Sequence, residues 1–316
     1  RLPALAWRGR VYAVEVARDA MSVFASNLVP LDGSRIVARS LGCATWLAAR
    51  LGARLHILSA TPHERPARDE LARLQVPEQH WPLVTLHQGS AYPEDAILTA
   101  VARHAIDLVV MTAGGQTAEA FASPQADDAG AVGHVTCAII ERSPAPVLLL
   151  PPHYREVLPW QRALVPVSGE IEAGEALALA VRLANALALE VHVAHVADTD
   201  TDDESLAARA RYADAVHHEF PRQLEELVRR ALTHCAPEEC RPIAEIALCH
   251  GDVAAELRLL IEGRRVSVLV VGWHGRFTEG RAKVLKQLLQ AITIPVLLVK
   301  PAARRPFRLK VGEALE

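Results

Sequence analysis

Hydrophobic residues along the chain form short runs that alternate with longer stretches of helical periodicity. The run LVPL at residues 28–31 is followed by residues 36–51, where apolar side chains recur at three- and four-residue spacing, as on an amphipathic helix. The short runs lack polar alternation, which is typical of parallel strands that are buried on both faces. Strands of this kind joined by helices predict an α/β fold in which each sheet is open, parallel and doubly wound.

The same alternation of elements occurs twice along the chain. In the first half we predict strands at residues 28–31, 54–60, 82–88, 106–112 and 146–150, and helices at 36–51, 68–74 and 93–104. In the second half we predict strands at residues 163–167, 189–196, 244–250, 266–272 and 295–299, and helices at 173–187, 205–233 and 254–262. Two similar domains are therefore expected rather than one core.

Repeated phrases support this division. LVVMTAGG (108–115) matches VLVVGWHG (268–275), and APVLLLPP (145–152) matches IPVLLVKP (294–301). We predict a first domain at 27–152 and a second at 160–301, between an N-terminal extension (1–26) and a C-terminal tail (302–316). The first half also carries a small, acidic, turn-rich insertion at 117–130, which we interpret either as a flap over a binding site or as a loop.

Composition narrows the possible functions. The 316 residues carry a net charge of -3, so no overall positive field favours nucleic acid or an anionic membrane as a partner. No apolar run approaches the ~20 residues of a membrane-spanning helix, and we expect a soluble protein. The five cysteines are few and odd in number, and no signal-peptide pattern precedes them, which favours the reducing cytoplasm.

The carboxylate of Asp32 directly follows the first predicted strand. In an open parallel sheet, ligands bind beyond the carboxyl ends of the strands, at the point where the winding reverses. Asp32 is therefore a candidate ligand contact at the binding edge of the first sheet. The alternative is purely local, because Asp-Gly-Ser also forms turns and caps helix N-termini.

The two halves carry a specific combination of motifs. Val-Pro-x-Asp-Gly-Ser follows a strand, His-x-Gly precedes a helix, and Val-Val-Met or Val-Val-Gly-x-x-Gly comes before Pro-Val-Leu-Leu. This combination closely resembles the universal stress protein family in its tandem two-domain form. The resemblance implies Rossmann-like domains of five parallel strands, similar to adenine nucleotide alpha-hydrolases, which pair through their last strands as an internal pseudo-dimer. It also implies a stress-response role and allows a further homodimer.

The resemblance implies two classes of family members, one of which binds ATP. In ATP binders the first-strand Asp contacts the adenosine, and backbone near the end of the second strand holds the base. A Gly-x-x-Gly, nine residues, Gly-Ser/Thr signature holds the ribose and phosphates, because glycines let the backbone approach and helix N-termini suit anions. In the first half the candidate contacts to ATP, ADP or AMP are Asp32, Gly33, Ser34, Ala60, Gly115, Gly133 and His134.

Neither half keeps the glycine signature intact. In the first half Thr112 replaces the first glycine, residues 116–132 form a longer spacer than expected, and His134 replaces the small hydroxyl residue. In the second half a serine replaces the first-strand Asp, and residues 276–281 form a shorter spacer than expected. The weaker second-half candidates are Ser168, Gly272, Gly275, Arg276 and Lys283.

These departures leave two interpretations open. Either a cation such as Lys283, His134 or Arg276 replaces the lost backbone contacts to phosphate, or both sites have become structural turns. We expect a sensor or regulatory module, and the first half, where Asp32 is kept, is the candidate site for an adenine nucleotide. We identify no catalytic residues. The alternatives are a scaffold with two vestigial pockets and a weak ATPase.

Cysteines and histidines in the second half raise the question of a metal site. The candidate ligands are His234, Cys235, Cys240, Cys249 and His250. The close Cys-x-x-Cys spacing of many zinc sites is missing, and a predicted strand separates the two groups of candidates. We therefore favour buried thiols and hydrogen-bonded histidines over a zinc site.

Overall fold

A computed structural model describes residues 23–61, 63–89, 92–114, 132–167, 171–197, 226, 228–229, 232, 242–277 and 282–301. Three predicted segments lie outside these residues: most of the N-terminal extension, all of the insertion at 117–130 and all of the C-terminal tail. The same holds for all but four residues of the helix predicted at 205–233.

The described strands and helices follow the predicted alternation. The strands are β1 (Ser26–Leu31), β2 (Arg54–Ala60), β3 (Val84–Gly89), β4 (Leu108–Thr112), β5 (Val147–Leu150), β6 (Arg162–Pro166), β7 (Glu190–Ala197), β8 (Ile243–His250), β9 (Val268–Gly272) and β10 (Val296–Val299). The longer helices are α1 (Arg35–Leu51), α2 (Ala67–Arg73), α3 (Pro93–Arg103), α4 (His134–Arg142), α5 (Ile171–Leu187), α6 (Val253–Arg264) and α7 (Lys283–Ala291). None of the described helices is long and apolar enough to cross a membrane.

All ten described strands belong to one sheet, in the order β3-β2-β1-β4-β5-β10-β9-β6-β7-β8. Neighbouring strands within each half are parallel. The two halves join through β5 and β10, which are antiparallel with Leu148 opposite Leu297. The predicted α/β fold of two five-stranded parallel halves is confirmed. Their last strands pair as predicted, so the two sheets form one continuous sheet.

Helices cover both faces of this sheet. On one face α1 and α5 pack over strand residues such as Val29 and Val110. On the other face α3, α4, α6 and α7 pack over their sequence neighbours Leu28 and Val109. Successive residues of a strand point to opposite faces, so central strands such as β4, β5 and β10 are apolar at nearly every position. This double burial explains why the strands read as continuous hydrophobic runs.

The strand bounds differ from the sequence prediction by up to two residues, and two helices were not predicted. The strand predicted at 82–88 begins later, at Val84, because a 3-10 helix over Glu78–Leu83 contains Pro82. Proline lacks the N–H that a strand ladder requires. No helix is predicted at α4 or α7, yet both form. Helix α4 contains several β-branched residues, whose helix propensity is low, and its packing against the sheet overrides that preference.

The winding of the first half reverses beside β1. This strand pairs with β2 on one side and with β4 on the other. The chain runs outward from β1 to β3 and then returns to β4, so the reversal lies between β1 and β4. Asp32 follows β1 and Thr112 ends β4, which places both residues at the edge where open α/β sheets bind ligands.

Candidate functional site

A cavity of about 540 Å³ lies at this winding reversal. Leu58, Ile97 and Met111 are buried side chains that give it an apolar floor on the side of the sheet covered by α3 and α4. The other lining residues come from the ends of β1, β2 and β4, from the region of α2, and from the first turns of α3 and α4: Pro30, Leu31, Asp32, Ala60, Thr61, Arg65, Arg73, Pro93, Thr112, Gly114, Gly133, His134, Val135 and Thr136.

The structure brings several of the first-half candidates together. Those that line the cavity are Asp32, Ala60, Gly133 and His134. Gly33 and Ser34 lie in the turn directly after Asp32, and Gly115 lies outside the described residues. The cavity thus joins residues from the end of β1, the end of β2 and the start of α4, which are far apart in the sequence.

The turn Asp32-Gly33-Ser34 explains why these residues follow β1. The backbone N–H of Ser34 donates to Oδ1 of Asp32 at 2.8 Å, which is the local turn considered as the alternative role for the carboxylate. Gly33 has a φ of +89°, and a Cβ at this position would lie 3.2 Å from Nη1 of Arg73. The local role and a ligand contact are compatible, because Asp32 also lines the cavity.

Helix α4 directs its N-terminus at the cavity. Gly133 to Thr136 line the cavity wall, and no side chain caps this end of the helix. The backbone N–H of Gly133 donates to the carbonyl oxygen of Ala113 at 2.8 Å, which fixes the helix to the end of β4. First-turn N–H groups have no partner within a helix, and together with the helix dipole they favour an anion.

Thr112 ends β4, at the position where the resemblance predicts the first glycine of the signature. Its Oγ1 donates to the carbonyl oxygen of Gly114 at 2.5 Å, and Oγ1 of Thr136 donates to the carbonyl oxygen of Thr112 at 3.2 Å. The start of the loop after β4 is therefore held by threonine hydroxyl groups, whereas glycines are expected there. This segment still forms part of the cavity wall.

Two arginines that the sequence analysis missed also line the cavity. Arg65 and Arg73 both bind the carboxylate of Glu70, whose side chain is 0% exposed. Nε of Arg73 lies 3.1 and 3.0 Å from the two carboxylate oxygens, and Nη1 of Arg65 lies 3.1 Å from Oε2. Oγ of Ser59, in β2, donates to Oε1 of the same carboxylate. The buried carboxylate thus fixes two cationic side chains at the cavity wall.

The electrostatics of this cluster keep it charged. Hydrogen bonds from Arg73 lower the pKa of Glu70 to about 2, although burial acts in the opposite direction. Glu70 is therefore ionised at neutral pH. The sequence signal for the cluster is weak, because Glu70 and Arg73 are spaced like an ordinary surface pair on a helix. The contact with Ser59, 11 residues earlier in the sequence, distinguishes the cluster from such a pair.

The corresponding loop of the second half packs against the first half. The indole of Trp273 is buried, and its Nε1 donates to the carbonyl oxygen of Ile140 at 3.2 Å. The backbone N–H of Phe277 donates to Oε1 of Glu141 at 2.7 Å, and Nζ of Lys300 donates to the backbone oxygen of Glu141 at 2.6 Å. The C-terminal end of α4 therefore binds the loop that follows β9.

The second-half candidates have different surroundings from those of the first half. Gly272 ends β9, and Gly275 has a φ of +81° in the loop that packs on α4. Arg276 and Lys283 are exposed, and Ser168 lies outside the described residues. The side chains of Trp273 and Phe277 fill the space between this loop and the first half.

Two segments of the chain match a known protein family. The sequence pattern of the universal stress protein family matches residues 27–151 and again residues 159–300, which together make up most of the chain. The chain belongs to the universal stress protein family. Because the pattern matches twice, this universal stress protein has the tandem two-domain form. A comparison with curated proteins gives no match.

Solved structures share this fold over nearly their whole length. A universal stress protein from Pseudomonas aeruginosa UCBPP-PA14 is 17% identical with a TM-score of 0.60, over 90% of this chain and 96% of that chain. A functionally unknown protein from Pseudomonas aeruginosa PAO1 is 17% identical with a TM-score of 0.58, over 90% and 95% of the two chains. A universal stress protein from Archaeoglobus fulgidus DSM 4304 is 13% identical with a TM-score of 0.54, over 88% and 97%.

The zinc candidates of this universal stress protein are only partly described. Cys249 and His250 end β8, whereas His234, Cys235 and Cys240 lie outside the described residues. Within the described part of the chain, no group of three or more histidine, cysteine, aspartate or glutamate side chains is arranged to hold a metal ion. Burial raises the pKa of the Cys249 thiol, so this side chain is a poor source of thiolate.

Three histidine rings stack in the first universal stress protein domain. The rings of His87 and His104 lie 4.0 Å apart between centroids, and those of His56 and His87 lie 5.2 Å apart. Nδ1 of His56 and Nε2 of His87 share a hydrogen bond of 2.9 Å. Burial lowers the pKa of His56 and lowers that of His87 to about 4, and the neighbouring histidines and the side chains of Arg54 and Arg103 act in the same direction.

We expect this histidine cluster to make the domain less stable in mild acid. Because the folded-state pKa of His87 is lowered, its contribution to stability is present above the unfolded value of 6.5 and is lost as the pH falls toward about 4. The loss should be on the order of 1 kcal/mol after solvent screening. Urea unfolding at pH 7 and pH 5 should show a smaller difference for His87→Phe than for the wild type. A variant of the exposed His63, His63→Gln, should match the wild type, and an unchanged pH dependence in His87→Phe would contradict the assignment.

Proposed function

We propose that this universal stress protein is a stress-response regulatory module that binds an adenine nucleotide in the first-half cavity. One observation carries the proposal: Asp32 and the N-terminus of α4 face the same cavity at the winding reversal. A carboxylate suits the hydroxyl groups of a ribose, and a helix N-terminus suits phosphate. The two parts of a nucleotide thus meet complementary groups within one cavity.

The size and floor of the cavity support the same ligand class. Small-molecule sites have volumes of about 300–1,000 Å³ and are mostly apolar with a few polar groups. The cavity here measures about 540 Å³. Leu58, Ile97 and Met111 offer apolar surface to a planar base, and Ala60 places the backbone at the end of β2 beside that surface.

We propose binding without catalysis, with the second half in a structural role. The loop after β9 supports this difference between the two halves. Nε1 of Trp273 and the backbone N–H of Phe277, both in this loop, donate hydrogen bonds to residues of α4. Phosphate release from ATP should then be no faster with the wild type than with Asp32→Asn. Saturable hydrolysis that disappears in Asp32→Asn would instead favour the weak ATPase.

We also propose that the protein acts in the cytoplasm. The described cysteines, Cys43, Cys137 and Cys249, are free thiols, which supports a reducing compartment. A homodimer of whole chains stays a prediction. Because β5 and β10 already pair within the chain, such a homodimer would use another surface.

The nucleotide site is tested by titration calorimetry with ADP and ATP. Asp32→Asn keeps an oxygen that can accept from the N–H of Ser34 but removes the charge, so the turn persists while the bond to a ribose hydroxyl weakens. We expect this variant to lose affinity by about tenfold or more. The matched control is Asp69→Asn, an exposed carboxylate on α2 that is not among the cavity-lining residues. If ADP and ATP fail to bind the wild type and AMP fails as well, the proposal is wrong and the scaffold alternative is favoured.

A further inference from the structure

The arginine pair at the cavity is prepared for an anion. Arg65 and Arg73 line the cavity with side chains that are 46% and 37% exposed, and both are fixed by the fully buried Glu70. Of the donors of Arg65, only Nη1 bonds to Glu70, at 3.1 Å. Arg73 turns Nε and Nη2 toward Glu70 and Ser59, while Nη1 lies 3.5 Å from the backbone oxygen of Asp32. Each guanidinium therefore has donors left at the cavity side.

The positions of the guanidinium donors, rather than the net charge, favour an anion. Two guanidinium groups face the buried carboxylate of Glu70. The nearby carboxylate of Asp32 offsets the remaining positive charge, so an anion is attracted through direct hydrogen bonds to the guanidinium groups. Fixed guanidinium groups bind phosphate through paired hydrogen bonds, and little side-chain entropy is lost when the side chains are already held in place.

This arginine pair is separate from the N-terminus of α4. Arg65 follows β2, whereas Gly133 is bonded to Ala113 after β4. Strand β1 lies between β2 and β4, so the arginines and the N-terminus of α4 approach the cavity from opposite sides of the end of β1. Asp32, at the end of β1, lies between them. The cavity therefore has an anion position on each side of its ribose-binding carboxylate.

We infer that the preferred ligand is a nucleotide with a second phosphate on its ribose, at the 2′ or 3′ oxygen, bound by Arg65 and Arg73. The inference rests on the proposed function, because it takes the 5′ phosphate to lie at the N-terminus of α4 and the ribose to lie at Asp32. The contact between Arg73 and the backbone of Asp32 puts the guanidinium beside that ribose. A phosphate in this place would contact the two arginines without displacing Glu70.

The test compares AMP with adenosine 2′,5′-bisphosphate and adenosine 3′,5′-bisphosphate by calorimetry on the full chain. We expect at least one bisphosphate to bind about tenfold more tightly than AMP. The comparison of the two bisphosphates identifies the oxygen that carries the second phosphate. Because this comparison uses the wild-type protein, it does not depend on how any variant folds.

Variants then assign the gain to the arginines. Arg65→Gln is the main variant, because the Arg65 side chain makes one hydrogen bond to Glu70. When Arg65 is replaced, Glu70 keeps its bonds to Arg73 and Ser59. The variant should abolish most of the tenfold gain, so that the loss of affinity for the bisphosphate is several-fold larger than the loss for AMP. Arg73→Gln should act in the same direction, with its melting temperature measured alongside. The matched control is Arg68→Gln, which replaces an exposed arginine of α2 that lies over the ring of Trp81.

Two results would overturn the inference. Equal affinities for AMP and both bisphosphates would show that the second phosphate gains nothing. An equal loss for AMP and the bisphosphates in Arg65→Gln would place the arginines on the 5′ phosphate. In either case AMP still binds, so the proposed function stands. If AMP, ADP, ATP and both bisphosphates all fail to bind, the proposed function fails and this inference fails with it.

Discussion

Replacing Trp273 with alanine should lower the free energy of unfolding by about 3–5 kcal/mol, the usual cost of removing a large buried side chain. The side chain is 3% exposed and contacts Phe277 and His274. Its Nε1 donates to the carbonyl oxygen of Ile140 in α4, so the substitution also leaves that oxygen without its indole donor. The variant removes both packing and a hydrogen bond between the two halves. Chemical denaturation followed by circular dichroism measures the loss.

Trp273→Phe separates the two contributions. This variant keeps an aromatic ring in the buried position but lacks the N–H, so we expect a loss of about 1–2 kcal/mol. A loss below about 1 kcal/mol in Trp273→Ala would contradict the packing between the loop after β9 and α4. It would also remove the argument that this loop has a structural role.

Replacing Glu70 with alanine should lower the free energy of unfolding by about 2–3 kcal/mol at pH 7. The substitution leaves Ser59 without an acceptor in a buried position and leaves two arginines without their counter-ion. Because Arg65 and Arg73 are 46% and 37% exposed, water can take over part of their hydrogen bonding, which keeps the loss below that of a fully buried pair.

The Glu70 deficit should depend on pH with a defined sign. Because the folded-state pKa is lowered from 4.5 to about 2, the contribution of Glu70 is present above pH 4.5 and is lost as the pH falls toward 2. The difference between the wild type and Glu70→Ala should therefore shrink over that range. Glu64→Ala, which replaces an exposed carboxylate nearby, is the control and should have little effect at any pH. A deficit in Glu70→Ala that does not change with pH would refute an electrostatic origin.

The strands of this protein were predictable because the sheet is covered on both faces. The strand at Arg54–Ala60 has the predicted bounds, since its buried positions form an uninterrupted run. The start of β3 was not predictable from hydrophobicity, because Leu83 is apolar but belongs to a 3-10 helix that contains Pro82. Helix α4 was missed because its residues read equally well as a strand or a loop before packing is known.

The candidate site was predictable only where its residues belong to a local motif. Asp32 and Gly133 belong to sequence motifs that resemble the family signature, and the structure places both at the cavity. Arg65 and Arg73 belong to no such motif. Their importance comes from the burial of Glu70 against Ser59, which is a tertiary contact that sequence spacing does not reveal. The packing of Trp273 on α4 is likewise a contact between distant segments.

The central claim is that the first-half cavity holds an adenine nucleotide. The most direct measurement is to denature the freshly purified protein and to identify the released small molecules by chromatography with mass detection. We predict an adenine nucleotide at about one per chain in the wild type and in Asp69→Asn, and a strong reduction in Asp32→Asn. The account would be contradicted by wild-type protein that releases no nucleotide and whose melting temperature does not change when ATP, ADP, AMP or either adenosine bisphosphate is added.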